Sequence, residues 1–119
     1  MRIANRSVKD ALLKALADEY SIKILLKTID EARSVEELSE TEHIPISTAY
    51  RRVNEMKDVG LLTIEKAILT GEGKKFELYR SVFKAVHLDL NGGEVIIDAD
   101  LNEDAAMRLT RLWATIRAG

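Results

Sequence analysis

The feature that most constrains this chain is a change of hydrophobic period at Gly60. Before it, apolar residues recur at helical spacing; after it, they alternate. A chain that runs helices first and strands afterwards, with glycine-bearing turns between the strands, belongs to the α+β class and packs its helices on one side of small antiparallel hairpins.

The helical half divides at its capping signals. Ser7, with an acidic residue three positions on at Asp10, predicts a first helix over about 8–17 with Val8, Ala11, Leu12, Ala15 and Leu16 inward. A second helix is predicted from Tyr20 to Glu31, burying Ile22, Leu25, Leu26 and Ile29 and leaving Lys23 and Lys27 in water. Ser34-Val35-Glu36-Glu37 repeats the capping spacing and opens a short third helix, with Val35, Leu38 and Thr41 inward, that stops near Glu42.

His43-Ile44-Pro45 is a tight connection, because proline disfavours helical geometry in the residue before it and fits the first turn of the helix after it. Ile46 to Gly60 is that helix. Ile46, Ala49, Val53 and Met56 fall on one stripe, and Ser47, Thr48, Arg51 and Glu55 project from the other side. A short helix, a turn and a longer helix ending at glycine is the arrangement of a helix-turn-helix.

After Gly60, Leu62 to Ile68 and Lys75 to Tyr79 read as strands joined by the turn Thr70-Gly71-Glu72-Gly73-Lys74. A hairpin directly behind such a helix is a wing. A second hairpin follows, from Val82 to Leu90, through Asn91-Gly92-Gly93, and back along Glu94 to Ala99. Its first strand alternates Val82, Val86, Leu88 and Leu90 against Phe83, Ala85, His87 and Asp89. Asn102 then caps a last predicted helix running to about Arg117, with Glu103 and Asp104 near the positive end of its dipole. Its apolar set, Ala105, Leu109, Leu112, Trp113 and Ile116 with Met107, is broader than one core contact needs: the helix either folds onto its own domain or joins two copies, with Leu109, Leu112, Trp113 and Ile116 as the candidate dimerisation residues and the second hairpin as a further candidate surface. The expected organisation is a winged helix-turn-helix over 1–81 continuing into a hairpin and dimerisation helix over 82–119.

Composition narrows the function. The 119 residues contain no cysteine, which excludes disulfides, zinc ribbons and thiolate chemistry. His43 and His87 are too few for a histidine metal site, and no serine or lysine stands in a recognisable nucleophile setting, so neither an enzyme nor a cofactor is expected. Asp98, Asp100, Glu103 and Asp104 read as a strand end followed by an acidic helix start, ahead of the alternative of a hard-cation site. No run is apolar enough to span a bilayer and the N-terminus lacks a signal-peptide core, so the expected compartment is the cytoplasm, with no membrane partner. The net charge of −2 is modest, but Pro45 to Arg80 holds seven basic residues against five acidic ones. A mildly positive patch on an acidic body suits salt-sensitive binding to DNA.

The candidate contacts follow from geometry. Ser47 and Thr48 at a helix N-terminus suit phosphate oxygens, and Arg51 one turn further suits the paired acceptors of a guanine edge. Arg52 lies at the flank and suits backbone phosphate; Tyr50, also at the flank, reaches phosphate or covers the core. Glu55 accepts from cytosine or pairs with Arg51 or Arg52. Lys74 and Lys75 carry charge at the wing tip, and Arg2 and Arg6 are further backbone candidates or merely soluble termini.

At this point the chain resembles the ArsR-type winged-helix regulators, a prokaryotic transcription-factor family. Leu16-Ala17-Asp18-Glu19-Tyr20-Ser21-Ile22-Lys23-Ile24-Leu25 is similar to the family's second-helix opening, LADPTRLRIL, with Ser21 in place of its arginine. Ser34 to Ser39, Ile46 to Val53 and Val59-Gly60-Leu61-Leu62 resemble its helix-turn-helix, so the likeness spans about Leu12 to Arg80. The family's metal sensors carry CVCDL where this chain has Ser34-Val35-Glu36-Glu37-Leu38, and no histidine site lies between Glu103 and Arg117. The resemblance therefore implies a member that senses no metal: a homodimer that binds a partly palindromic operator in duplex DNA, as a repressor before an activator. It leaves room for a small-molecule effector without identifying one. The alternative is a winged-helix protein-interaction module in a larger assembly, which would need an uncharged apolar patch on the same face.

Overall fold

The computed structural model describes residues 1–102. The predicted C-terminal helix, with Leu109, Leu112, Trp113 and Ile116, lies outside the described residues. Within them, four helices are followed by two antiparallel hairpins, the α+β order read from the change of period: α1 (Arg6–Ala17), α2 (Glu19–Lys27), α3 (Val35–Glu42), α4 (Ile46–Asp58), β1 (Leu62–Leu69), β2 (Lys75–Ser81), β3 (Phe83–Asn91) and β4 (Glu94–Leu101). No described helix is long and apolar enough to cross a membrane.

Each element contributes to one core. Leu12, Ile24, Leu38 and Val53 from the four helices meet Leu61, Leu62, Val82 and Ile97, all essentially inaccessible to water. Several helical faces differ from the sequence expectation. α1 begins two residues earlier than Ser7 implies, because the Asn5 side chain accepts the Val8 N–H at 3.1 Å and takes the capping role. α2 stops at Lys27 and buries Ser21, Ile24, Leu25 and Thr28, while Leu26 is 59% exposed and Ile22 and Ile29 are half-buried. The turned face is affordable because Thr28 Oγ1 donates to the Ile24 carbonyl at 2.8 Å, so the buried hydroxyl is satisfied. Ser34 caps α3 as predicted, accepting the Glu37 N–H at 3.1 Å, but Thr41 is exposed and Ile44 fills the core instead.

The wing is the two-stranded hairpin β1–β2, extended by a single backbone bridge from Arg33. β1 pairs with β2 with a bulge at Glu65, and Arg33 exchanges backbone hydrogen bonds with Tyr79 on the other edge of β2, at 2.8 and 2.9 Å. β3 pairs with β4, and the far edge of β4 is taken by residues 1–3, where Ile3 N–H donates to the Ile97 carbonyl at 2.9 Å. The turn between β3 and β4 is Gly92-Gly93, both at positive φ (63° and 80°), the geometry that a two-residue hairpin with right-handed twist requires. Asn102 seals the junction: its N–H donates to the Val82 carbonyl at 3.0 Å and its Nδ2 to the Ser81 carbonyl at 2.7 Å.

Candidate nucleic-acid interface

α4 is an amphipathic helix whose inner face is Ala49, Val53 and Met56. Ile46, predicted to join that stripe, is 48% exposed, because it opens the helix ahead of the packed turns. The outer face presents Ser47, Tyr50, Arg51 and Asn54, with Thr48 half-buried beside them. Among the described residues no side chain caps the N-terminus of α4, where Pro45 holds the capping position. Its first-turn N–H groups are therefore available to an anion, and the helix dipole favours one there.

The seven basic and hydroxyl candidates on α4 and the wing divide sharply by partner. Arg51 is exposed and forms no ion pair among the described residues. Arg52, by contrast, grips Asp18: Nε and Nη2 reach the two carboxylate oxygens at 3.0 and 3.2 Å, and Nη1 lies 3.7 Å from Glu55. Asp18 is at the same time the N-cap of α2, accepting the Ser21 N–H at 2.8 Å. That backbone donor above all, with the Arg52 guanidinium behind it, holds the Asp18 carboxyl down at about 2. Arg52 thus ties α4 to α2. Of the two partners offered for Glu55 on sequence grounds, Arg52 is the one nearby.

Tyr50 neither covers the core nor stands free. Its hydroxyl donates to Glu36 on α3, and that bond raises its pKa. Tyr79, buried on β2, is pushed up to about 12 by burial first and by Glu77 second. Between α4 and β2 lies a cleft of about 310 Å³ that Tyr50, Asn54, Lys57, Lys75, Phe76 and Tyr79 help to line. It brings Tyr50 and Lys75 of the predicted set to one place. Lys75 also pairs with Glu77 at 3.6 Å, whereas Lys74 at the turn faces the Phe76 ring, with Nζ 4.9 Å from its centroid. Arg2 lies 3.5 Å from Asp98, and Arg6 is 4.0 Å from Asp10.

Two residues on this surface escaped the sequence reading. Asn54 is exposed in the cleft, and its spacing signalled it: seven positions after Ser47, four after Tyr50 and three after Arg51. Lys66 is exposed on β1 opposite Leu78 and has no carboxylate partner among the described residues.

Helix, turn, uncapped second helix and adjoining hairpin define a winged helix-turn-helix protein. Neither a family model nor a curated protein matches the chain. Among solved structures, the chain is similar to reduced HlyU from Vibrio cholerae N16961, with a TM-score of 0.53 and 19% identity over 89% of this chain and 85% of that one. It is likewise similar to the transcriptional regulator HlyU from Vibrio vulnificus CMCP6, with a TM-score of 0.50 and 18% identity over 92% of this chain and 88% of that one. At this identity the likeness is one of fold.

Proposed function

We propose that this chain is a sequence-specific, duplex-DNA-binding transcriptional regulator of the ArsR type, without catalytic activity, that acts as a homodimer and represses by occupying its operator. The observation that carries the reading is the outer face of α4: a helix N-terminus with Ser47 and Thr48 that no described side chain caps, then Arg51 without a carboxylate partner among the described residues, beside a wing that offers Lys66 and Lys74. The fold shared with a protein described as a transcriptional regulator supports it. Ser47, Thr48 and the α4 N–H groups position the phosphate backbone, Arg51 and Asn54 read guanine and adenine edges, and the wing lysines add backbone charge. In a two-fold dimer the two α4 helices enter successive major grooves about 34 Å apart.

The test is titration of duplex DNA at rising salt, first on genomic fragments and then on a selected operator. Arg51→Ala is expected to weaken operator binding by about 1–3 kcal/mol, roughly 5- to 150-fold, with thermal stability unchanged. Equal binding by the variant removes Arg51 from the interface and the reading with it.

A second reading has its own support: Ile46, Tyr50, Ile68 and Leu69 are exposed on α4 and the wing, the apolar surface that a protein-docking module would use. Absence of any salt-dependent DNA binding by the wild-type protein decides for it.

A further inference from the structure

β3 leaves an open edge on an apolar sheet face. The register of the second hairpin sets Val86 opposite Ala99, Leu88 opposite Ile97 and Leu90 opposite Val95, so all six side chains share one face. Toward the base that face is core, with Ile97 and Ala99 buried. Toward the tip it is bare: Leu88 is 46% and Leu90 82% exposed. One outer edge of this sheet is closed by residues 1–3, but no described strand pairs with the outer edge of β3. An unpaired, apolar edge strand is a template for another strand.

The sequence of β3 says which strand fits. We propose that β3 pairs antiparallel with β3 of a second copy of this chain, across a two-fold axis at Leu88. In that register Leu88 meets its own counterpart, Val86 meets Leu90 of the other copy, and the apolar face runs unbroken across both. On the opposite face His87 meets Asp89 of the other copy, twice, an imidazole donor against a carboxylate. A shift of the axis by one residue toward the tip puts Asp89 against Asp89, and one toward the base puts His87 against His87, like groups directly opposed. Registers between these set apolar against polar side chains and bury neither. Self-pairing at Leu88 alone matches both faces.

The inference rests on the homodimer part of the proposed function and is independent of DNA recognition. The chain has no cysteine, so single-cysteine variants report the axis directly. Cα atoms directly opposite in an antiparallel pair stand about 4.5–5.5 Å apart, within disulfide range. Two Leu90 residues stand more than about 10 Å apart along the strands. Leu88→Cys is expected to give mostly disulfide-linked dimer under mild oxidation, and Leu90→Cys little. In sedimentation of the uncross-linked full chain, His87→Asp is expected to raise the dimer dissociation constant at least tenfold, and the swap His87→Asp with Asp89→His to restore it. Three results overturn the proposal: a wild-type chain that sediments as a monomer, cross-linking at position 90 as efficient as at 88, or a wild-type dimer in which position 88 does not cross-link. The last leaves the homodimer standing on another surface.

Discussion

Removing the Asp18 carboxylate tests how α2 and α4 are held in register. Asp18 does two things at once, capping α2 through the Ser21 N–H and receiving the Arg52 guanidinium at two points, with the two side chains only 27% and 25% exposed. Loss of an N-cap costs about 1 kcal/mol. Loss of a two-point ion pair mostly out of water costs about 1 kcal/mol more. Asp18→Ala is therefore expected to destabilise by about 2 kcal/mol, and Asp18→Asn, which keeps an acceptor for Ser21, by about 1 kcal/mol. With Arg52→Ala, a double-mutant cycle should show a coupling of about 1 kcal/mol. The carboxyl sits at about 2 instead of 3.8, a shift worth about 2.4 kcal/mol at ~1.36 kcal/mol per unit before screening by the surrounding water reduces it to about 1–2 kcal/mol. Because the folded-state value lies below the unfolded one, the unfolded chain takes up the proton first. The stabilisation is complete above 3.8 and is lost as the pH falls through about 2. Urea unfolding followed by circular dichroism at pH 7, and again in steps down to pH 2, measures both effects. Equal losses for Asp18→Ala and Asp18→Asn, or a coupling under about 0.3 kcal/mol, would refute the two-role account.

Two further outcomes follow from the wing and the DNA reading. Gly73 sits at φ +81° and Gly71 does not occupy that region, with open space around both, so Gly73→Ala is expected to lose about 1 kcal/mol of stability in thermal melts and Gly71→Ala almost nothing. Lys66→Ala and Lys74→Ala should each lower the slope of log affinity against log salt by about 1 without changing which operator is preferred, and an unchanged slope would place that lysine off the DNA.

Local signals in this chain were legible. The Ser34 cap, the inner stripe Ala49, Val53 and Met56, the stop at Gly60 and both hairpin turns depend on residues a few positions apart, and all appear as read. The outer face of α4 was legible for the same reason, apart from Asn54. What escaped depended on distant partners. Arg52 looks like a phosphate contact in sequence, and its carboxylate lies 34 residues away. Tyr50 meets Glu36 across 14 residues. The inner face of α2 turned toward Ser21 and Thr28 because Thr28 Oγ1 donates to the Ile24 carbonyl and the Ser21 side chain bonds to Asp18, which makes buried hydroxyls acceptable in a way hydrophobic periodicity does not register.

The sequence by itself determined the order of elements, their punctuation and the helix that faces outward, because period, caps and turn residues act through the local backbone. Only the tertiary structure decided which charges on that outward face are free. A guanidinium or an ammonium is defined by its nearest carboxylate, and here the packing of α2 against α4 takes up Arg52 and leaves Arg51 without a carboxylate partner among the described residues.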